Sequence, residues 1–350
     1  MFGNTLLIVN PQAQSGRARH VREETAHLLE SITNVTRGHY FEVIETTHPL
    51  DAVIITHELG ENFDTIFALG GDGLVHEVVN GLMQIEKEKR PTLGIFPAGQ
   101  GNDFARSLNL PLNPLQVLDK LANLEKKTID IGKVNDTYFC ETLSFGVDAA
   151  IALETMERRK RTNKTGTILY IESGFNQIKN HLNAISAQIV IDGKPYDNLT
   201  FYTFAVQNGQ TYGGGFKICP QAKLDDGMFD ICYAAPPLSK FEAVRLFMKA
   251  KDGKHTNDPH IHFLAGKDIK ITFKDIVPAQ VDGEPISAYE YDISLIPEAL
   301  SVLELKSATK RSCSKQSIQN LSNTNKAPQI GELYYRSCTM SAVQPRCTCF

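Results

Sequence analysis

Short apolar, β-branched runs alternate with amphipathic stretches over the first 125 residues. TLLIVNP (5–11), FEVIETT (41–47), TIFALGG (65–71) and TLGIFPAG (92–99) read as strands, each closed by Gly, Pro or Asn or by the Thr pair before Pro49. Helix-like stretches fall between and after them, at 17–31, 50–59, 74–89 and 102–110. Strands alternating with helices of about 10–15 residues predict a parallel sheet with crossover helices. Ligands of such sheets sit at the carboxyl ends of the strands. The Gly-rich runs fall there.

The rhythm changes near residue 128. TIDIGKV, TYFCETLSFG, AQIVIDG, FYTFAVQN, GMFDICYAA, IKITF, AQVDGEPIS and SVLELK follow as strand-like runs. Asp192-Gly193 and Asn208-Gly209 punctuate them as hairpin turns would, and helical stretches interrupt at 149–182 and 239–251. This predicts an α/β domain over 1–127 and a β-rich, sandwich-like domain over 128–306. Residues 307–350 are rich in Ser, Thr, Asn and Gln and read as a disordered tail.

Composition narrows the function. An apolar fraction of 42% suffices for real cores, and a net charge of −4 with pI near 6.2 gives no reason to expect nucleic-acid binding. No apolar run approaches the roughly 18–20 residues of a membrane span. MFGNTLLIVNP lacks the basic start of a signal peptide. A cytoplasmic protein is expected, with any membrane contact peripheral. Cys140, Cys219 and Cys232 sit among apolar residues and read as reduced core thiols. Cys313, Cys338, Cys347 and Cys349 lie in the tail without zinc-ligand spacing, and Cys347 to Phe350 fits a prenylation box in position only.

Three strand-closing loops carry the chemistry. Asn10-Pro11-Gln12-Ala13-Gln14-Ser15-Gly16-Arg17 leads from a strand into a helix, an arrangement suited to an anion although it lacks the Gly-Lys-Ser/Thr of a P-loop. Gly70-Gly71-Asp72-Gly73 sets three glycines around one carboxylate, so backbone can approach a ligand closely. Beside polyphosphate that carboxylate must bind a metal or take a proton; the plainer reading is a tight turn in which Asp72 caps the next helix. Pro97 to Arg106, PAGQGNDFAR, again opens into Gly-rich backbone before a cap. Three such loops on adjacent strand ends point to a nucleotide phosphate site.

GGDGLVHEVVNGL, PAGQGNDFARSL and NPQAQSGRA closely resemble the diacylglycerol kinase catalytic-domain family, nearest the bacterial DgkB/YegS/BmrU-type lipid kinases, with sphingosine kinases as cousins. The resemblance continues through FGVDAAI (145–151), GGGFKICPQAKLDDGMFD (213–230) and VDGEP (281–285), covering about 3–305. It implies a Rossmann-like N-terminal domain, a C-terminal antiparallel β-sandwich and a nucleotide cleft between them. ATP would be held by Asn10, Pro11, Ser15, Gly16, Thr46 (or Thr47), Gly70, Gly71, Asp72, Gly73, Leu74, Val75 and His76. Gly99, Gln100, Asn102 and Asp103 of the third loop complete that set. Two positions depart from the family pattern: Leu74 stands where Thr is usual, and Gln100 follows Gly99 where Thr is usual. A hydroxyl contact is lost there or replaced by the Gln100 amide.

By the same resemblance, the carbonyls of Lys223 and Met228 and the carboxylate of Asp226 hold a structural Mg²⁺, a cation that needs few protein oxygens. Glu284 becomes the proton acceptor, Asp282 its partner in the magnesium network, and Asp72 the rival base. Arg158 to Lys164, beside the aromatic and aliphatic helix that follows, suits an anionic membrane surface. The implied activity is γ-phosphate transfer from ATP to a membrane lipid, diacylglycerol first, with sphingoid bases, phosphatidylglycerol or other lipid alcohols as alternatives. Family members often pair, so a homodimer is in view. An NAD kinase-like enzyme and a catalytically silent nucleotide-binding regulator are the rival readings. GNDFAR and KLDDGMFD speak against the first, and the intact set Asp72, Asp226, Asp282 and Glu284 against the second.

Overall fold

The computed structural model describes residues 2–306 except 14–16, 36–37 and 163–165. The tail and its cysteines, together with Gln14, Ser15, Gly16, Asn163 and Lys164, lie outside the described residues. The first half runs β1 (Thr5–Val9), α1 (Arg17–Val35), β2 (Phe41–Glu45), α2 (Asp51–Leu59), β3 (Thr65–Gly70), α3 (Asp72–Leu82), β4 (Thr92–Pro97), α4 (Asp103–Ser107) and α5 (Pro114–Leu118). β2, β1, β3 and β4 pair in that order, all parallel. Every residue of β1, β3 and β4 is buried. Helices covering both faces of a parallel sheet require such unbroken apolar runs rather than alternation. The helix expected over 74–89 stops at Leu82 because the chain turns back to bury Ile85, which packs against Gly60.

The second half begins with β5 (Leu124–Val134), β6 (Thr137–Phe139), β7 (Thr142–Gly146), α6 (Val147–Thr162) and α7 (Thr167–His181). It continues through β8 (Ile185–Ile191), β9 (Lys194–Phe201), β10 (Thr203–Gln207), β11 (Thr211–Tyr212), β12 (Phe216–Lys217), β13 (Phe229–Ala234) and α8 (Lys240–Ala250). β14 (Ile261–Gly266), β15 (Asp268–Phe273), β16 (Ala279–Val281), β17 (Glu284–Pro285) and β18 (Glu290–Leu305) finish it. β14-β13-β10-β7-β16-β17 form one sheet; β18, β15, β8 and β9 form the facing layer, and β18 also joins β4 through Val302↔Leu93. The first sheet therefore runs on into the sandwich. Between the layers, Phe145, Phe201, Phe204, Phe273 and Tyr291 form a common core.

Several elements differ from the sequence reading. The expected helix over 149–182 is two helices, because Gly166 takes φ +87 before α7. FYTFAVQN divides between β9 and β10, and TYFCETLSFG between β6 and β7. Asp192-Gly193 does close the β8–β9 hairpin, but Asn208-Gly209 joins strands that are not partners. Cys140, Cys219 and Cys232 are buried free thiols. Among the described residues no helix is long and apolar enough to cross a membrane.

Candidate active site

The loops leaving β1, β3 and β4 meet the second half of the chain in a cleft of about 950 Å³. Two of these loops touch backbone to backbone: a Cβ on Gly99 would lie 2.4 Å from Gly71 Cα, and one on Gly71 3.0 Å from Gly99 Cα. Any side chain at either position would part them. Asn102, at φ +50, clips the third loop by accepting from Gly99 N–H at 2.9 Å and donating to its carbonyl at 3.0 Å.

Asp72 opens α3 but caps its neighbour. Its Oδ2 accepts from Asn102 N–H at 2.7 Å and its Oδ1 from Asp103 N–H at 2.8 Å, at the start of α4. Asp103 in turn crosses to the second half, where its two oxygens accept from Gly214 N–H (2.9 Å) and Gly215 N–H (2.7 Å). A chain of carboxylates and amides thus ties the phosphate-type loops to the opposite wall. Burial raises the pKa of both acids, Asp103 to about 7 with the nearby Asp72 charge adding to the effect.

Asp282 sits at φ +47 and accepts three backbone N–H groups: Cys140 on Oδ2 at 2.8 Å, and Glu141 and Thr142 on Oδ1 at 3.0 Å each. His76 Nδ1 lies 3.4 Å from Oδ2. The carboxylate that resemblance places in a magnesium network therefore also anchors the turn before β7. Glu284 is different. It is exposed, and its Oε1 lies 3.4 Å from where a Cβ of Gly73 would be. It faces the Gly-rich loop across the cleft, and no hydrogen bond or ion pair to its carboxylate is seen among the described residues.

Asn10, Thr46, Gly71, Asp72, Gly73, Leu74, Val75, His76, Gly99, Gln100, Asp103, Asp282 and Glu284 all line the cleft; Pro11, Gly70 and Asn102 lie behind its wall. Leu74 is buried against Gly70, so the departure there is accommodated by packing. Gln100 Oε1 accepts from Gly166 N–H at 3.1 Å, which turns its amide toward α7. Across from the loops, Thr155, Met156, Arg159 and Lys160 of α6 and Thr167 and Tyr170 of α7 form the far wall.

The turn holding Lys223, Asp226 and Met228 lies outside the cleft lining. Asp226 Oδ1 accepts from Met228 N–H at 3.3 Å, and the turn is pinned by Asp130, whose Oδ2 accepts from Gly227 N–H at 2.7 Å. Asp130 Oδ1 takes Glu298 N–H at 2.8 Å, so one buried carboxylate joins this turn to the β18 bulge. The turn presents one exposed carboxylate, Asp226, close enough to Asp230 to raise its pKa, and no cluster of three or more His, Cys, Asp or Glu side chains that could hold a metal is found among the described residues.

Glu141 escaped the sequence reading. It lines the cleft at 4% exposure, and among the described residues neither carboxylate oxygen is within hydrogen-bonding geometry of a partner. Its Oε2 lies 1.8 Å from where a Cβ on Gly209 would sit, which explains the glycine at that position. Burial holds its pKa well above the ordinary carboxylate value; the Ser107 hydroxyl beside it opposes this, while the charges of Asp103, Asp282 and Asp72 add to it. The one sequence signal is an acid inside the apolar run TYFCETLSFG.

Comparison with known proteins identifies the family. Residues 4–134 match the diacylglycerol kinase catalytic domain, and residues 141–304 match the YegS C-terminal NAD kinase beta sandwich-like domain. A probable lipid kinase YegS-like protein of Chromohalobacter salexigens is 31% identical over 299 residues, 85% of this chain and 92% of that protein. A diacylglycerol kinase of Bacillus subtilis is 31% identical over 280 residues, 79% of this chain and 88% of its own. The crystal structure of a diacylglycerol kinase from Bacillus anthracis strain Sterne shares the fold, with a TM-score of 0.68 over 87% of this chain and 97% of that one at 24% identity. With both domains matched and relatives 31% identical over most of its length, the chain belongs to the diacylglycerol kinase-like lipid kinases, an enzyme family whose kinase chemistry implies ATP as phosphoryl donor.

Proposed function

We propose that this enzyme transfers the γ-phosphate of ATP, with Mg²⁺, to the hydroxyl of diacylglycerol, giving phosphatidic acid. The observation that carries the reading is the cleft itself. Backbone-to-backbone Gly71 and Gly99 give phosphates close access on one side, while Met156, Tyr170 and Tyr212 offer an acyl-bearing acceptor an apolar wall on the other. Asp72, Asp103, Glu141, Asp282 and Glu284 all line the cleft, against the cations Arg159 and Lys160. Polyphosphate in such company needs a divalent ion, and bound Mg²⁺ supplies the neutralisation that phosphoryl transfer requires. The 223–228 turn is a second, structural place for Mg²⁺.

Glu284 is the proton acceptor in this reading. It is exposed and makes no bond to the fold among the described residues, and it faces the Gly73 side of the cleft, whereas Glu141, also without a bonded partner, is buried and held protonated. Asp72 and Asp103 hold the loops in place, and Asp282 holds the turn before β7. Radiolabelled phosphate transfer from ATP and Mg²⁺ to lipids in mixed micelles tests this, with wild type and Glu284→Ala run together. Label in diacylglycerol, lost in the variant while ATP binding persists, is the expected outcome. Label in a sphingoid base or phosphatidylglycerol instead replaces the acceptor. Near-normal turnover in the variant moves the base to Asp72, and no label with ATP bound favours the silent regulator.

A further inference from the structure

Resting on the lipid-kinase reading, we propose that the outer flank of α7 and α8 is the surface on which this enzyme sits on an anionic lipid bilayer. The two helices run antiparallel: Lys240 Nζ at the start of α8 donates to the Lys179 carbonyl near the end of α7, while Phe247 packs over Gly174. Tyr170, Ile178, Ala243, Leu246 and Phe247 face inward. At about 100° per residue, Ile168 and Phe175 of α7 then point to the same flank as Phe241 and Met248 of α8. Phe241 is 80% exposed, Ile168 72%, Phe175 43% and Met248 39%. Four large apolar side chains on one flank mark an interaction surface rather than scattered exposure.

Charge selects the occupant. α6, α7 and α8 carry eight Lys or Arg against five Asp or Glu, a local excess of +3 in a chain of net −4. On α7 the exposed Lys179 follows Phe175 by four residues on the same face; on α8 Arg245, ion-paired to Asp258 at 3.0 Å, lies between Phe241 and Met248. Apolar side chains interleaved with basic ones match the acyl boundary and headgroups of an anionic membrane. The flank also adjoins the site, since Gly166 and Thr167, immediately before Ile168, line the cleft. A lipid leaving the bilayer here would meet the catalytic wall without crossing water.

The full chain is sedimented with vesicles of phosphatidylcholine alone or mixed with phosphatidylglycerol, beside a Phe241→Gln/Met248→Gln variant. Wild type is expected to favour the anionic vesicles by about tenfold or more, and the variant to lose about tenfold in partition. Its melting temperature, and its phosphorylation of a short-chain diacylglycerol kept below micelle formation, should equal wild type. Unchanged partition in the variant overturns the proposal, as does equal binding to neutral vesicles. A wild-type dimer that the variant dissolves also overturns it, by making the flank a contact between two copies. Vesicle binding that depends on these residues, with no lipid phosphorylated, leaves the docking surface standing and rejects the lipid-kinase reading.

Discussion

Replacing Asp282 by Asn separates an anchoring carboxylate from a catalytic one. One side-chain amide has one acceptor. With its oxygen at the Oδ1 position it keeps the Glu141 and Thr142 N–H bonds, but the amide nitrogen then faces Cys140 N–H, whose 2.8 Å bond is lost, and His76 Nδ1 at 3.4 Å. Asn tolerates the left-handed backbone at φ +47, so no strain is added. Losing one bond to a charged acceptor and leaving its donor buried costs about 1.5–3 kcal/mol. At about 2 °C per kcal/mol for a chain of this size, the melting temperature should drop by about 3–6 °C. Ala would lose three such bonds and add strain, about 5.5–11 kcal/mol in all, which is on the order of the whole stability of many folds. Asn is therefore the informative change. The chain has no Trp, so the melt is followed by far-ultraviolet circular dichroism. Glu284→Ala is the control, expected within about 0.5 kcal/mol of wild type as a surface change. A melting temperature of Asp282→Asn within 1 °C of wild type, on the order of that same 0.5 kcal/mol, would refute the anchor.

Two further outcomes follow from the same contacts. Gly99→Ala places a Cβ 2.4 Å from Gly71 Cα and 2.7 Å from Asn102 Oδ1, so the two loops must separate; turnover should fall about 100-fold and ATP affinity with it, read by kinetics and titration calorimetry. For pH, the folded carboxyls of Glu141 and Asp103 are raised above their unfolded values. The fold therefore holds protons the unfolded chain has released, and stability should fall as pH climbs above the ordinary carboxylate range, Asp103 contributing up to about 7. Glu141→Gln should flatten that slope in melting temperature against pH; an unchanged slope would show that the folded chain does not hold the Glu141 proton more tightly than the unfolded chain does.

What the sequence determined by itself is what local rules govern. The parallel order around β1, β3 and β4 was legible because strands buried on both faces read as unbroken apolar runs, and the phosphate-type loops because Gly and Asn punctuate strand ends. Asp72, Asp103 and Glu284 could be named from their motifs. Elements at the edges could not be read in full. β9 and β14 close the outer edges of their sheets, where half-exposed positions blur alternation. β18 is broken in sequence by Pro297, which falls at a bulge between Ile296 and Leu300. Only the tertiary structure decided which partner each carboxylate found. Asp72 looked like a cap for its own helix and caps the start of the next, and Asp282, placed in a metal network by resemblance, also holds three backbone amides. Glu141 carried no motif and lies buried in the cleft wall, its oxygens without a bonded partner among the described residues. Hydrogen-bond partners 30 to 142 residues apart leave no local trace, because burial and distance, which set a carboxylate's role, are properties of the packed chain.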